Sequence, residues 1–246
     1  PIDGDITTLG EAVSFVATVN DNEDIASDVT LTWDSDLDGI FSNQGSDFNG
    51  NISFSEFLSA GIHNITVTAT DTTGLTTLTI LGIRVNTPPP APTLVISPDP
   101  VYSNDTITTA VTNSGDADGD TITHSYEWYE DSVLTTHTGS TISASDLDVG
   151  ETWTVRVTPN DGYVDGAYSE AYITVSNSIP LVSSVTITPS AGIYNDSVLS
   201  CAATATDIDE TVTATIEWTI GNTTYSGATL DLSTTGALPT DSIFCT

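Results

Sequence analysis

Lysine and methionine are absent from this 246-residue chain, and arginine occurs only at Arg84 and Arg156. Against those two cations stand 34 Asp and Glu residues, a formal net charge of −32. Proteins hold phosphate backbones through Lys and Arg, so nucleic acid is excluded as a partner, and anionic membrane surfaces are disfavoured for the same reason. Cations are the natural counter-partner. Self-repulsion of this size is best tolerated in salty or Ca²⁺-rich water, where charges a Debye length apart are screened. The composition therefore fits adaptation to a saline habitat or specific metal binding. No apolar run approaches the length of a spanning helix, so no membrane insertion is expected in this segment. Signatures of catalysis are missing too. There is no G-x-S-x-G elbow and no phosphate-cradling glycine loop. His63, His124 and His137 are scattered without zinc-ligand spacing. Paired carboxylates abound, but in so acidic a chain they carry almost no information.

Charge alone would predict disorder, yet 38% of residues are hydrophobic and they alternate with Thr and Ser in short strand-like runs. No amphipathic helix is evident. The stronger signal is an internal repeat. Ile96-Ser-Pro98, Asn104-Asp-Thr106, Asp116-Ala-Asp118 and Trp128 recur as Ile187-Thr-Pro189, Asn195-Asp-Ser197, Asp207-Ile-Asp209 and Trp218, at offsets of 91, 91, 91 and 90 residues. A more divergent first copy keeps the order: an alternating strand around Phe15, acidic residues from Asp21 to Asp24, then Trp33. Its strand from His63 to Asp71 corresponds to Trp153 through Asp161. Proline marks the boundaries, at Pro88-Pro-Pro90-Ala-Pro92 and at Pro180. Three repeats are expected, over 1–87, 88–178 and 179–246, the first linker being a short stiff spacer of polyproline character. Short β-branched and aromatic strands punctuated by Gly, Asp, Asn and Pro, in units of about 90 residues, indicate an all-β chain of tandem sandwiches.

The order Cys201, Trp218, Cys245 resembles the immunoglobulin pattern, in which a Trp packs against a disulfide joining the two sheets. The resemblance implies a Cys201–Cys245 bridge, with Ala110 and Val155 in the second copy and Phe15 and Ile65 in the first as its apolar replacements. Closing that 44-residue separation is worth about 4 kcal/mol in the chain-entropy model, and implies an oxidising, extracytoplasmic setting. With Trp33-Asp-Ser-Asp36, Gly115-Asp-Ala-Asp-Gly-Asp120, Asn160-Asp-Gly162 and the Asn-x-x-Pro junctions, the chain also resembles the PKD-like and cadherin-like repeats of large bacterial or archaeal surface proteins. That resemblance implies a non-enzymatic structural or adhesive role at the cell surface, as a stalk, surface layer, filament or adhesin, partnered by neighbouring repeats or other subunits. The competing reading is a carbohydrate- or partner-binding module of a secreted enzyme. By comparison with Asp161 to Ser176, the third copy is expected to lack strand G, supplied by further chain or by a donor chain.

Site expectations follow from the loops. Asp116, Asp118 and Asp120 alternate around a turn, and hard Ca²⁺ takes six to eight oxygens. In a sandwich of this kind Asn160, Asp161 and Asp165 would share their pole, facing the preceding domain. Asp21 and Asp24, and Asp207 and Asp209, occupy the matching loops. The alternative is that these residues make good turns and stay solvated. Asp34, Asp36 and Asp38 open like an EF-hand, but the twelfth position is Gly45 and the flanks are strands, leaving a looser Ca²⁺ site as the metal reading there. Glycosylation sequons stand at Asn51, Asn64, Asn104, Asn195 and Asn222. Trp33, Trp128 and Trp218 are expected in cores, while Trp153 is a candidate for stacking on a sugar.

Overall fold

The computed structural model describes residues 1–246. It contains 21 strands and three single-turn 3-10 segments, grouped in three successive sandwiches that share no sheet. The first is built from β1 (Asp5–Thr8), β2 (Val13–Thr18), β3 (Thr30–Ser35), β4 (Gly39–Ser42), β5 (Asn51–Glu56), β6 (Gly61–Thr70) and β7 (Thr76–Asn86). Its sheets are β1-β7-β6-β3-β4 and β2-β5. The second comprises β8 (Thr93–Ser97), β9 (Val101–Tyr102), β10 (Ile107–Thr112), β11 (Thr123–Glu130), β12 (Val133–Leu134), β13 (Thr141–Ile142), β14 (Thr152–Asn160) and β15 (Ser169–Ser176). These form β13-β10-β8 and β12-β11-β14-β15-β9. The third has β16 (Leu181–Thr188), β17 (Val198–Thr206), β18 (Glu217–Ile220), β19 (Thr223–Ser226), β20 (Thr229–Asp231) and β21 (Ile243–Cys245), paired as β16-β17-β20 and β19-β18-β21. The architecture is that of tandem immunoglobulin-like domains.

Period-two alternation produces each core. In β14, Trp153, Val155 and Val157 face inward while Thr154, Arg156 and Thr158 face out. Each sandwich closes over a buried tryptophan: Trp33, Trp128 and Trp218. Each indole N–H donates to a backbone carbonyl, of Gln44, Gly139 and Gly227 respectively, so the polar atom of a buried ring is satisfied. Trp128 meets Trp153 edge-on at 6.3 Å, and Phe15 stacks on Phe54 at 5.1 Å beside Trp33. Trp153 is therefore core, and the sugar-stacking expectation fails for it: the strand alternation that buries Val155 buries it as well.

Two expected registers also shift. Ala110 faces solvent, and Thr109 takes the core position, 4% exposed with its hydroxyl unpartnered. A constant 91-residue offset maps Ile107 onto Val198, but the buried residues are Ile107 and Leu199. The turn before the strand differs by one residue, which exchanges the two faces. In the first sandwich the residue opposite Trp33 is Val67, where Val155 and Cys245 stand opposite Trp128 and Trp218. Ile65, two residues earlier, is buried on the same face.

Candidate functional site

The residues that distinguish this chain from three independent sandwiches meet at the two junctions. After β7 the chain runs directly into the second sandwich. Asn86 is 1% exposed, and Pro89 and Pro92 are buried. The Ser169 hydroxyl donates to the Pro92 carbonyl at 2.5 Å. A Cβ on Gly166 would lie 2.0 Å from the Pro89 carbonyl oxygen, so only glycine lets the linker lie this close. The proline segment is thus docked along the second sandwich.

The loop between β10 and β11 faces this linker. Asp116 Oδ1 accepts the amides of Asp118 and Asp120, at 2.9 and 3.2 Å, and Gly119 takes φ +81° to close the turn. Asp118 Oδ2 accepts the Thr87 amide at 2.6 Å. Asp120 pairs with the Arg84 guanidinium, which lies 4.4 Å above the Tyr163 ring. From the other loop, Asp161 Oδ2 accepts from the Asn86 side-chain amide at 2.7 Å, and its Oδ1 takes the amides of Tyr163 and Val164. Asp161 is 5% exposed. Burial pushes its carboxyl up, but the hydrogen bonds from Asn86, Val164 and Tyr163 outweigh this and hold it below the usual carboxylate range.

The second junction repeats the arrangement one period later. Asp207 Oδ1 accepts the amides of Asp209 and Glu210. Asp209 Oδ2 accepts the Ser178 amide at 2.5 Å, and its Oδ1 accepts from the Ser103 hydroxyl. These bonds, from Ser103 first and then Ser178, lower the Asp209 pKa. Ser178 is Thr87 displaced by 91 residues, as Asp209 is Asp118. In both loops the first aspartate keeps one buried oxygen without a donor, Asp116 Oδ2 and Asp207 Oδ2. Asn86 Oδ1 is likewise buried and unpartnered.

Of the metal-ligating residues expected from sequence, Asp116, Asp118 and Asp120 are brought together: one carboxylate oxygen from each lies within 4.8 Å of the others. Asn160 does not join them. It turns back on its own loop, donating to Asp165 at 2.8 Å and accepting from the Gly162 amide. Asp161 faces Asn86. Asp34, Asp36 and Asp38 do not converge. Asp34 stays in strand β3, Asp36 accepts from Asn64 backbone and side chain, and Asp38 accepts from Ser59. Asp21 caps its own turn, and Asp24 accepts from Thr72. Arg84 and Asn86 join the site without a sequence signal, because both sit in a strand end whose alternation marks them only as surface and linker.

Cys201 and Cys245 form the disulfide, with Cα atoms 6.5 Å apart. It joins β17 of one sheet to β21 of the other, beside Trp218. All five sequon asparagines are exposed. The amides of Asn51 and Asn64 are engaged by Asp47 and Asp36, whereas no such bond is made by Asn104, Asn195 or Asn222. A serine–histidine–aspartate grouping also occurs. Ser35 Oγ lies 2.7 Å from His63 Nδ1, and Asp38 Oδ2 lies 3.8 Å from that nitrogen. Ser35 and His63 are both buried, Ser35 Oγ accepts the Leu37 and Asp38 amides, and His63 Nε2 bonds the Ser59 carbonyl. The group braces a turn and offers no nucleophile to a substrate.

Residues 3–81 match the PKD domain family, about a third of the chain. No curated protein matches the sequence. Among solved structures, a 1.5-MDa bacterial ice-binding adhesin aligns at 21% identity over 92% of this chain and 79% of that one, with a TM-score of 0.40. A Ca²⁺-stabilized adhesin of an Antarctic bacterium aligns at 18% over 98% and 62%, with a TM-score of 0.41. The fibronectin(III)-like modules of Clostridium thermocellum CbhA align at 15% over 72% and 91%, with a TM-score of 0.35.

Proposed function

We propose that this chain is a non-enzymatic spacer of an extracellular surface protein, a run of sandwiches locked end to end so that they transmit position rather than perform chemistry. The domain limits at 87/88 and 178/179 belong to this reading. The observation that carries it is the junction clamp repeated at a 91-residue period: Asp118 on the Thr87 amide and Asp209 on the Ser178 amide. A flexible string of domains has no need of the same interdomain bond twice. Each clamp bond runs from a backbone amide to a charged acceptor, and the docked prolines restrict the first linker further.

The clamp gathers negative charge, and in a chain of net charge −32 that repulsion must be offset. Arg84 offsets part of it at the first junction. The rest fits a hard divalent cation. Asp116 Oδ2 and Asn86 Oδ1 are buried oxygens without donors, and Asp118 and Asp120 stand beside Asp116. Calcium there would draw on Asp116, Asp118 and Asp120, with water completing its shell, and would neutralise the charge that otherwise drives the domains apart.

Small-angle scattering and calorimetry of the chain, with Ca²⁺ and with chelator, test both parts. A single extended shape in both conditions, with a higher melting temperature in Ca²⁺ that Asp116→Asn abolishes, is the expected result. Bent, interconverting shapes with Ca²⁺ present would overturn the spacer. A melting temperature indifferent to chelator would remove the metal and leave the clamp.

A further inference from the structure

All four tryptophans are interior, yet the second sandwich displays tyrosines on the outer face of its larger sheet. Tyr129 of β11 and Tyr172 of β15 both stand opposite Thr154 of β14, so the three form one row pointing to solvent. The adjacent outward row is Glu127, Arg156 and Glu170. Arg156 ties the rows together. Its guanidinium lies 4.4 Å from the Tyr168 ring centre and 5.3 Å from that of Tyr129. It pairs with Glu170 at 2.8 Å and Glu127 at 3.6 Å. Tyr172 is 76% exposed and Tyr168 54%.

The sheet does not require these side chains. The matching outward rows of the first sandwich, on either side of Trp33, are Thr32, Thr68, Leu78 and Asp34, Thr66, Ile80. No aromatic or cation occurs there. One of only two arginines in the chain is spent fixing the tyrosines of the second sandwich.

What would such a surface hold? It is not a hook for anions, because two carboxylates already neutralise Arg156 and the whole chain repels negative charge. A pyranose ring is complementary to it. Its C–H face stacks on an aromatic ring, and its rim of hydroxyls exchanges hydrogen bonds with carboxylate and guanidinium groups. Tyr129 and Tyr172 sit two strand spacings apart, roughly 10 Å, about the separation of alternate rings in an extended β-linked glycan. Tyrosine gives large contact area at small entropic cost, and the Arg156 guanidinium against Tyr129 and Tyr168 lowers that cost further by restricting both rings.

We propose that the outer face of β11, β14 and β15 binds a neutral glycan chain, stacked on Tyr129 and Tyr172 with Tyr168 beside them, and hydrogen-bonded by Glu127, Arg156 and Glu170. This activity is separate from the spacer role and stands or falls without it. The test is affinity electrophoresis of the full chain through gels holding a soluble β-1,4-glucan, a xylan or a galactomannan, followed by calorimetric titration with the matching hexasaccharide. Retardation by at least one polysaccharide is expected. Tyr168→Ala and Tyr172→Ala should each weaken binding about tenfold or more with unchanged melting, since both side chains are exposed. Leu78→Ala, on the matching row of the first sandwich, should leave binding intact. Equal mobility in every gel would overturn the proposal. So would retardation that survives the tyrosine substitutions.

Discussion

Removing the Cys201–Cys245 bond, by Cys201→Ala with Cys245→Ala, should destabilise the third sandwich and leave the first two untouched. The bond closes a separation of 44 residues. In the chain-entropy model that loop is worth about 4 kcal/mol at 25 °C. The third sandwich has little to set against the loss. Its buried core holds six residues, where the others hold nine and ten, and Cys201 is one of the six. A domain of some 68 residues is stable by roughly 3–10 kcal/mol at ordinary values per residue, so the bond supplies a large share of the total. For a domain of this size 1 kcal/mol moves the melting temperature by about 4–8 °C, and the expected fall is about 16–32 °C. Differential scanning calorimetry should show one transition moving while the others hold, and hydrogen exchange should place the lost protection on β17 and β18. A fall below about 4 °C would mean that the bond does not constrain the unfolded chain as reasoned. A common shift of all transitions would mean that the sandwiches do not melt separately.

Two further outcomes follow from the same geometry. Thr109→Val removes a buried hydroxyl without a partner while keeping its shape, so the second sandwich should gain about 1 kcal/mol, read as a higher urea midpoint at unchanged slope. The carboxyls of Asp161 and Asp209 are held below their unfolded value, so each stabilises the folded chain above that value, about 3.9, and the contribution is lost as pH falls through the lower folded value. Melting temperature should therefore fall as the pH drops below about 4. Asp209→Asn should reduce that acid sensitivity at the second junction, and an unchanged acid profile would remove Asp209 from the clamp.

Much of this was legible in the sequence, because alternation with period two and an internally repeated loop pattern are local properties. The tandem sandwiches, the interior Trp33, Trp128 and Trp218, and the grouping of Asp116, Asp118 and Asp120 on one turn all follow from spacing along the chain. Errors arose where a count of one residue matters. Ala110 and Thr109 exchange places because a strand has two faces, and a single extra turn residue exchanges them. Asp34, Asp36 and Asp38 have metal-like spacing, but the Asp36 carboxylate is taken by Asn64 and that of Asp38 by Ser59, partners more than 20 residues away that no local pattern could announce.

The sequence by itself determined the repeat, the strand content, the acidity and which loops carry the clustered acids. Those depend on residue type and spacing. Only the tertiary structure decided which donors those acids meet: Arg84, Asn86 and Thr87 at one junction, Ser103 and Ser178 at the other. It alone decided, too, that Tyr129 and Tyr168 flank Arg156 and that Tyr172 stands in the row beside it. Both depend on register between strands and on docking between domains, which are set by long-range packing rather than by neighbours in the chain.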